Sequence, residues 1–181
     1  MRIQLLIILL CFSSYSISKA QNPPLKTEIS EEEIHLKRKQ YQERIDKLKK
    51  YRMEQLKLYK IGATKERKEI LKQVKAKLET ELSEYLFPAW YGTPWDFNGT
   101  SNEPGKGKIA CGYFVSTTLK HLGLKLNRFK LAQQPSQRII QTFMDRAAMD
   151  ISSQRSLPDV KKKLIQTGDG IYIVGLDTHV G

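Results

Sequence analysis

The segment from Ser30 to Gly62 constrains the fold more than any other part of the chain. Its sequence is SEEEIHLKRKQYQERIDKLKKYRMEQLKLYKIG. Ser30 and Glu33 form a capping box at its start, and Gly62 is a natural helix stop. The apolar residues recur at helical spacing and form a narrow stripe: Ile34, Tyr41, Ile45, Leu48, Leu56 and Tyr59. The segment therefore predicts one long charged helix.

A second charged helix is predicted to open at Thr64. Its expected buried face comprises Ile70, Leu71, Val74, Leu78 and Leu82. Two charged helices with thin apolar stripes favour an antiparallel hairpin, which could pack on the rest of the chain or bind a partner helix. The lysines of this hairpin are expected to form a solvated face rather than a binding patch.

The charge of the chain favours some partners over others. Its 181 residues include 31 Lys and Arg against 19 Asp and Glu, a formal net charge of +12. This excess is spread over both halves of the chain, which favours weak attraction to anionic polymers such as cell-wall material. Nucleic-acid binding is the least favoured class because no recognition motif is present.

The first twenty residues have the pattern of a secretory signal peptide. Arg2 provides the positive charge, residues 5–12 are apolar, and Ser18 and Ala20 are small residues at the cleavage-sensing positions. We expect cleavage after Ala20 and a protein exported to a periplasm or to the outside of the cell. The alternative is a short membrane anchor, although the apolar run is too short for a stable membrane span.

The composition changes near Pro88. The stretch FPAWYGTPWDFNGTSNEPGKGK contains both tryptophans and many turn residues, which predicts a structured loop. Trp90 and Trp95 are expected to pack in the core of this loop rather than to form a sugar platform. The chain is thus divided into a signal peptide (1–20), a helical hairpin (21–87) and a second domain (88–181).

Three helices and two strands are predicted in the second domain. A mostly buried helix begins at Cys111 and ends at Gly123, and another runs from about Ser136 to Met144. Pro158 begins a short basic helix that ends at Gly168. The last segment, GIYIVGLDTHVG, predicts two strands around a turn near Asp177 and Thr178.

Cys111 is the one cysteine of two that would remain after cleavage, and it opens a predicted helix. A helix N-terminus favours a thiolate, and its free N–H groups can hold the oxyanion that forms when a thiolate attacks a carbonyl. Gly112 would leave the backbone beside the sulfur uncovered. The competing interpretation is a small cysteine packed in the core.

A thiolate nucleophile needs a histidine as ion-pair partner and proton carrier. His35 lies in the charged helix, and His121 lies too far along the helix from the cysteine. His179 is favoured because it lies on a strand among small and apolar residues. Asp177 would share its face if that strand were continuous, whereas a turn would cancel this relation.

Four sites in order resemble the NlpC-type cell-wall cysteine peptidases, a branch of the papain-like hydrolases: Tyr91-Gly92, Cys111, Gly168-Asp169 and His179-Val180-Gly181. The resemblance covers the chain from Pro88 onward. It departs from the family in having Ala-Cys-Gly-Tyr where the family has Asp-Cys-Ser-Gly, and in its longer loop before the cysteine. In the family a further strand follows the histidine and carries the residue that orients it. The sequence is therefore expected to be a fragment.

The resemblance implies an α+β fold, with a papain-like domain and a small, possibly truncated antiparallel sheet after the hairpin. It implies a cysteine hydrolase that cleaves amide bonds in peptidoglycan stem peptides, with Cys111 as nucleophile and His179 as base. Tyr91 and Gly112 are candidates for positioning the substrate or the oxyanion, and Asp177 for orienting the histidine. We expect no cofactor and no metal, since one cysteine and dispersed histidines do not make a ligand set.

Two other functions fit the same residues. One is a different papain-like activity, such as an amidase or acyltransferase acting on another amide or ester, which only substrate tests would separate. The other is a secreted binding or scaffold protein whose helical hairpin engages a partner. That second alternative predicts an unreactive, packed Cys111 and cell-wall binding that the Cys111→Ala substitution does not change.

Overall fold

The computed structural model describes residues 9–10, 30–151 and 155–181, and most of them are helical. The predicted signal peptide and the spacer after it lie outside the described residues, apart from Leu9 and Leu10. The helices are α1 (Glu31–Ile61), α2 (Thr64–Glu81), a π-helical turn (Leu82–Leu86), α3 (Phe87–Ala89), α4 (Cys111–Leu122), α5 (Arg128–Ala132), α6 (Ser136–Gln141), a 3-10 turn (Arg146–Ala148) and α7 (Leu157–Thr167). The strands are β1 (Leu9–Leu10) and β2 (Gly175–Leu176).

The first two helices form the expected hairpin. The Ser30 hydroxyl accepts a hydrogen bond from the Glu33 N–H at 3.2 Å, which caps the start of α1. The helix ends at Gly62, and the Glu66 carboxylate then accepts a hydrogen bond from the Ala63 N–H at 2.7 Å to begin α2. Leu56, which the spacing places in the apolar stripe, is 47% exposed.

A buried ion pair joins the two helices near the open end of the hairpin. Glu81 is only 3% exposed and receives Arg44 at 2.7 Å and Lys77 at 2.8 Å. A buried carboxylate is destabilising unless it is paired. Lys77 pairs with it within α2, and the Arg44 contact links α1 to α2.

The helix α4 lies between two hydrophobic clusters. The first, here called the hairpin cluster, joins it to α1 and the segment after α2 through Tyr41, Leu48, Leu82, Leu86, Trp90, Ile109 and Leu122. The second, the C-terminal cluster, contains Val115, Leu119, Leu131, Ile139, Ile140, Met149, Ile173 and Val180. Gly123 ends α4 with a φ of 106°, a conformation that glycine adopts without strain. Both predicted ends of this helix are confirmed.

The loop before α4 is ordered by its own backbone. Ile109 pairs with both Trp95 and Thr100, and the Ala110 N–H donates to the Gly99 oxygen at 2.9 Å. A Cβ on Gly99 would lie 2.5 Å from the Ile109 nitrogen, so this close approach requires glycine. The loop therefore holds Trp95 near the first residue of α4.

The expected antiparallel sheet is reduced to short pairings. Among the described residues, β1 pairs in parallel with β2, and Gly175 and Val180 form an antiparallel bridge. A chain cleaved after Ala20 would not contain β1. The α7 helix begins after the Ser156 cap and ends at Gly168, as predicted, whereas α6 ends at Gln141 and is shorter than predicted. The papain-like fold itself stays a prediction.

Candidate active site

Cys111 is the first residue of α4, and its side chain is half-buried. The preceding residue, Ala110, is the N-cap and contributes no side-chain hydrogen bond. The first intrahelical bond runs from the Phe114 N–H to the Ala110 oxygen at 2.8 Å. The N–H groups of the three residues before Phe114 thus belong to the uncapped first turn, where a helix can stabilise a negative charge.

A cleft of about 530 Å³ opens beside this helix end. Four of the residues predicted from sequence line it together: Cys111, Gly112, Asp177 and His179. The remaining wall comes from the loop before α4, the α5–α6 connection and the C-terminal turn. These residues are Trp95, Phe97, Asn98, Thr100, Ala110, Tyr113, Ala132, Gln133, Gln134, Pro135, Ser136, Leu176, Thr178 and Val180.

His179 reaches the cleft on a small β-hairpin. The Leu176 N–H donates to the His179 oxygen at 2.7 Å, which closes a two-residue turn of Asp177 and Thr178. The Ser136 hydroxyl donates to the Leu176 oxygen at 3.0 Å and attaches the hairpin to α6. The predicted turn is confirmed, and its position explains how a residue far along the chain returns to α4.

The same turn affects where Asp177 lies relative to His179. The two residues could share one face only on a continuous strand, and the turn between them removes that relation. Asp177 still lines the cleft, and both side chains are exposed. Its assignment as the residue that orients His179 stays a prediction.

Tyr91 lies apart from the cleft, whereas Gly112 lines it. Tyr91 is 74% exposed and is not among the residues that line the cleft. A Cβ on Gly112 would lie 2.3 Å from the Ala132 oxygen, so the glycine is required for close packing of α4 against the end of α5. Its role beside the sulfur stays a prediction.

Two aromatic residues of the cleft wall were not predicted as site residues. Trp95 is 58% exposed and Phe97 is 80% exposed, and the Trp95 ring lies 6.1 Å from the His179 ring in an edge-on arrangement of 62°. The expectation that Trp95 packs in the loop core is wrong, whereas Trp90 is confirmed as core at 5% exposure. A sequence signal existed in the clustering of aromatics among turn residues, but it does not show which ring is buried.

His121, at the other end of α4, lies away from the cleft in a buried polar chain. The Trp90 indole N–H donates to the Tyr41 hydroxyl oxygen at 3.0 Å, and the same hydroxyl lies 2.9 Å from His121 Nδ1. Burial, aided by the charges of Lys120 and Arg128, lowers the pKa of His121 to about 4. The neutral imidazole therefore accepts the Tyr41 proton at Nδ1, and burial raises the pKa of Tyr41.

Arg128 supports the cleft from behind. It is 4% exposed, donates from Nε to the Thr117 hydroxyl at 2.5 Å, and donates to the backbone oxygens of Thr100 and Ser101. Its guanidinium also lies 4.8 Å from the centre of the Tyr113 ring. Burial lowers the pKa of Arg128, and these contacts fix the loop on α4.

Metal binding and membrane insertion would require other arrangements of side chains and helices. Within residues 30–151 and 155–181, no group of three or more His, Cys, Asp or Glu side chains is arranged to hold a metal ion. No helix in the described part of the chain is long and apolar enough to cross a membrane.

The family resemblance depends on the residues named above. No family model matches the chain, and neither the curated proteins nor the solved structures provide a match.

Proposed function

We propose that this protein is an exported cysteine hydrolase that cleaves amide bonds in peptidoglycan stem peptides, with Cys111 as nucleophile and His179 as base. The observation that carries the proposal is that these two residues, far apart in sequence, line one cleft at the start of α4. A nucleophile, a base and a set of helix N–H groups beside one cavity are the parts that acyl transfer requires.

The chemistry proceeds in two stages. His179 takes the proton from the Cys111 thiol, and the thiolate attacks the amide carbonyl carbon while the first-turn N–H groups of α4 stabilise the oxyanion. His179 then gives the proton to the leaving amine, and the C–N bond breaks to leave a thioester on Cys111. Water, deprotonated by His179, hydrolyses the thioester and returns the thiol and a carboxylic acid.

The substrate class and the location have separate support. The cell-wall substrate follows from the resemblance of Tyr91-Gly92, Gly168-Asp169 and the final His-Val-Gly to the NlpC-type peptidases. Export follows from the pattern of residues 1–20. The net charge of +12 favours approach to an anionic cell wall.

The test is hydrolysis of purified peptidoglycan by the full chain. We expect soluble peptide fragments with new amino termini, released by the wild-type protein and lost in Cys111→Ala. The matched control is Thr118→Ala, which removes a buried hydroxyl from the same helix at a site remote from the cleft. Release of fragments by Cys111→Ala at the wild-type rate would overturn the proposal.

A second function has a specific observation in its favour. The outer face of α1 near its end exposes Met53, Leu56 and Ile61, at 54%, 47% and 82%. Exposed Lys49, Lys50, Lys57 and Lys60 fall at the same helical spacing, and none of them makes an ion pair with another described residue. A helix face of this kind can bind a partner, so we also propose a binding or scaffold role for the hairpin.

Cosedimentation with purified cell walls separates the two roles. A binding role predicts that replacing Met53, Leu56 and Ile61 by serine reduces cosedimentation, whereas Cys111→Ala leaves it unchanged. Unchanged cosedimentation in the triple variant, with its helical content intact by circular dichroism, would exclude binding through this face.

A further inference from the structure

The wall of the cleft beside His179 is aromatic and exposed. The Trp95 and Phe97 side chains line the same cavity as Cys111, and more than half of each is open to solvent. Burial of an aromatic ring is strongly favourable, so two exposed rings on one cavity wall leave apolar area that a ligand can cover. Two such rings on one cavity wall are typical of a binding site for an apolar group.

The exposure of these rings follows from the backbone rather than from a loose loop. The Ile109 N–H donates to the Pro94 oxygen at 3.0 Å, and the Ile109 oxygen accepts from the Asp96 N–H at 3.3 Å. These bonds fix the residues on both sides of Trp95. The Trp95 ring is also held by its edge-on contact with the His179 ring. The aromatic wall is therefore preorganised beside the base.

The charge of the cleft differs from the charge of the chain. The chain has 31 Lys and Arg residues, yet none of the described residues that line the cleft is a lysine or an arginine. The charged group on the wall, histidine apart, is the Asp177 carboxylate. The remaining polar side chains on the wall are amides and hydroxyls: Asn98, Gln133, Gln134, Thr100, Tyr113, Ser136 and Thr178.

Three cations of the loop before α4 and of α5 are engaged with other groups. Lys108 pairs with Asp96 at 2.9 Å, and Lys106 lies 3.7 Å from Glu103. Arg128 is buried behind Tyr113 and donates hydrogen bonds to Thr117 and to two backbone oxygens. A carboxylate or phosphate would therefore meet no lysine or arginine among the described residues of the cleft wall, and a charged group desolvated without such a partner is bound weakly.

We propose that the cleft selects an uncharged or amine-bearing acyl segment whose flat apolar group stacks on Trp95 and Phe97. This inference rests on the proposed function, since it takes the Cys111 sulfur as the atom that attacks the substrate carbonyl. It narrows the substrate to amides without a negative charge beside the scissile bond. Among stem peptides, those with amidated carboxyl groups or a free amine meet this charge condition.

Alkylation of Cys111 by reagents of different shape and charge tests the inference without a natural substrate. The reagents are iodoacetamide, its N-phenyl derivative and iodoacetate, used at physiological ionic strength to screen the overall charge of the protein. Modification of Cys111 is quantified by peptide mass spectrometry, which separates it from Cys11. Each rate is measured in the native and in the urea-unfolded protein, so the unfolded chain supplies the intrinsic reactivity of each reagent.

The rate of the phenyl reagent relative to iodoacetamide is expected to be about three- to tenfold higher in the native than in the unfolded protein, the range that aromatic pairs provide. The rate of iodoacetate relative to iodoacetamide is expected to fall in the native protein. Phe97→Ala and Trp95→Ala should each reduce the phenyl preference toward the unfolded value. Tyr91→Ala is the matched control, since this exposed aromatic residue lies in the same loop but outside the cleft.

Equal phenyl preference in native and unfolded protein, or a native preference for iodoacetate, would overturn the inference. Phe97→Ala keeps the test valid if Trp95→Ala unfolds, because an 80% exposed side chain contributes little to the core. The two proposals fail separately. Absence of hydrolysis with a retained phenyl preference rejects the proposed function alone, and hydrolysis without that preference rejects the specificity alone.

Discussion

The two ends of α4 place ionisable side chains in opposite surroundings. At the C-terminal end, His121 is enclosed by Tyr41 and Trp90 in the hairpin cluster, and its pKa is lowered to about 4. At the N-terminal end, Cys111 lies at a cleft that also holds the exposed His179. The histidine on the same helix as Cys111 contacts Tyr41 in the core, whereas the histidine that lines the same cleft as Cys111 comes from the C-terminal hairpin. We propose the second one as the partner of the thiol.

The largest expected effect separates the two histidines by activity. His179→Ala should lower amide hydrolysis by about 10²- to 10⁴-fold, the contribution typical of a general acid–base residue. Its free energy of unfolding should change by less than about 0.5 kcal/mol, because the side chain is exposed. His121→Asn, which keeps an acceptor for the Tyr41 hydroxyl, should leave the rate within about twofold.

Steady-state rates and urea unfolding of both variants provide the comparison. An equal loss of activity in the two variants would mean that the ends of α4 do not differ in function. A loss of stability in His179→Ala would show that the histidine supports the C-terminal hairpin instead.

The sequence predicts helix ends and turns well, and it predicts the burial of individual side chains poorly. Some predictions depend on residues that act locally on the backbone. The structure has helix ends at Gly62 and Gly123, the first turn of α7 at Pro158, and a turn at Asp177 and Thr178. The residue types of the candidate site were also predictable, because a thiolate requires a histidine. Local patterns do not encode which side of a loop faces the core, so the exposure of Trp95 and Leu56 could not be predicted.

Tertiary contacts explain the remaining differences. Gly112 is also required for packing, which only the position of the Ala132 oxygen shows. The helix α6 ends at Gln141 although the apolar spacing continues to Met144, since Phe143 and Met144 pack on the C-terminal cluster from a turn. The packing at Gly112 depends on α5, which is remote in sequence, and the end of α6 depends on the shape of the C-terminal cluster.

A smaller expected effect concerns the packing at the start of α4. Gly112→Ala should lower the free energy of unfolding by about 2 kcal/mol, since the added Cβ would overlap the Ala132 backbone oxygen and force α4 and α5 apart. Urea unfolding measures this change. Gly181→Ala is the control, because a Cβ there meets nothing within 4 Å. If Gly112→Ala instead slowed Cys111 alkylation and left stability unchanged, the glycine would serve access to the thiol, as the sequence suggested.

The smallest and most specific effect is the pH dependence of stability that His121 confers. Its pKa is about 4 in the folded protein and close to 6.5 when unfolded, so folding favours the neutral imidazole. The contribution is fully present above pH 6.5 and is lost as the pH falls toward 4, where the unfolded chain binds the extra proton. Because the side chain is partly exposed, we expect a loss of roughly 2 kcal/mol, less than the full shift would give.

Urea unfolding at pH 7, 6 and 5 measures this loss, since carboxylates titrate mainly below pH 5. In His121→Asn the same interval should be nearly flat, because the asparagine accepts the Tyr41 proton without titrating. A slope that persists unchanged in His121→Asn would show that another group carries the pH dependence.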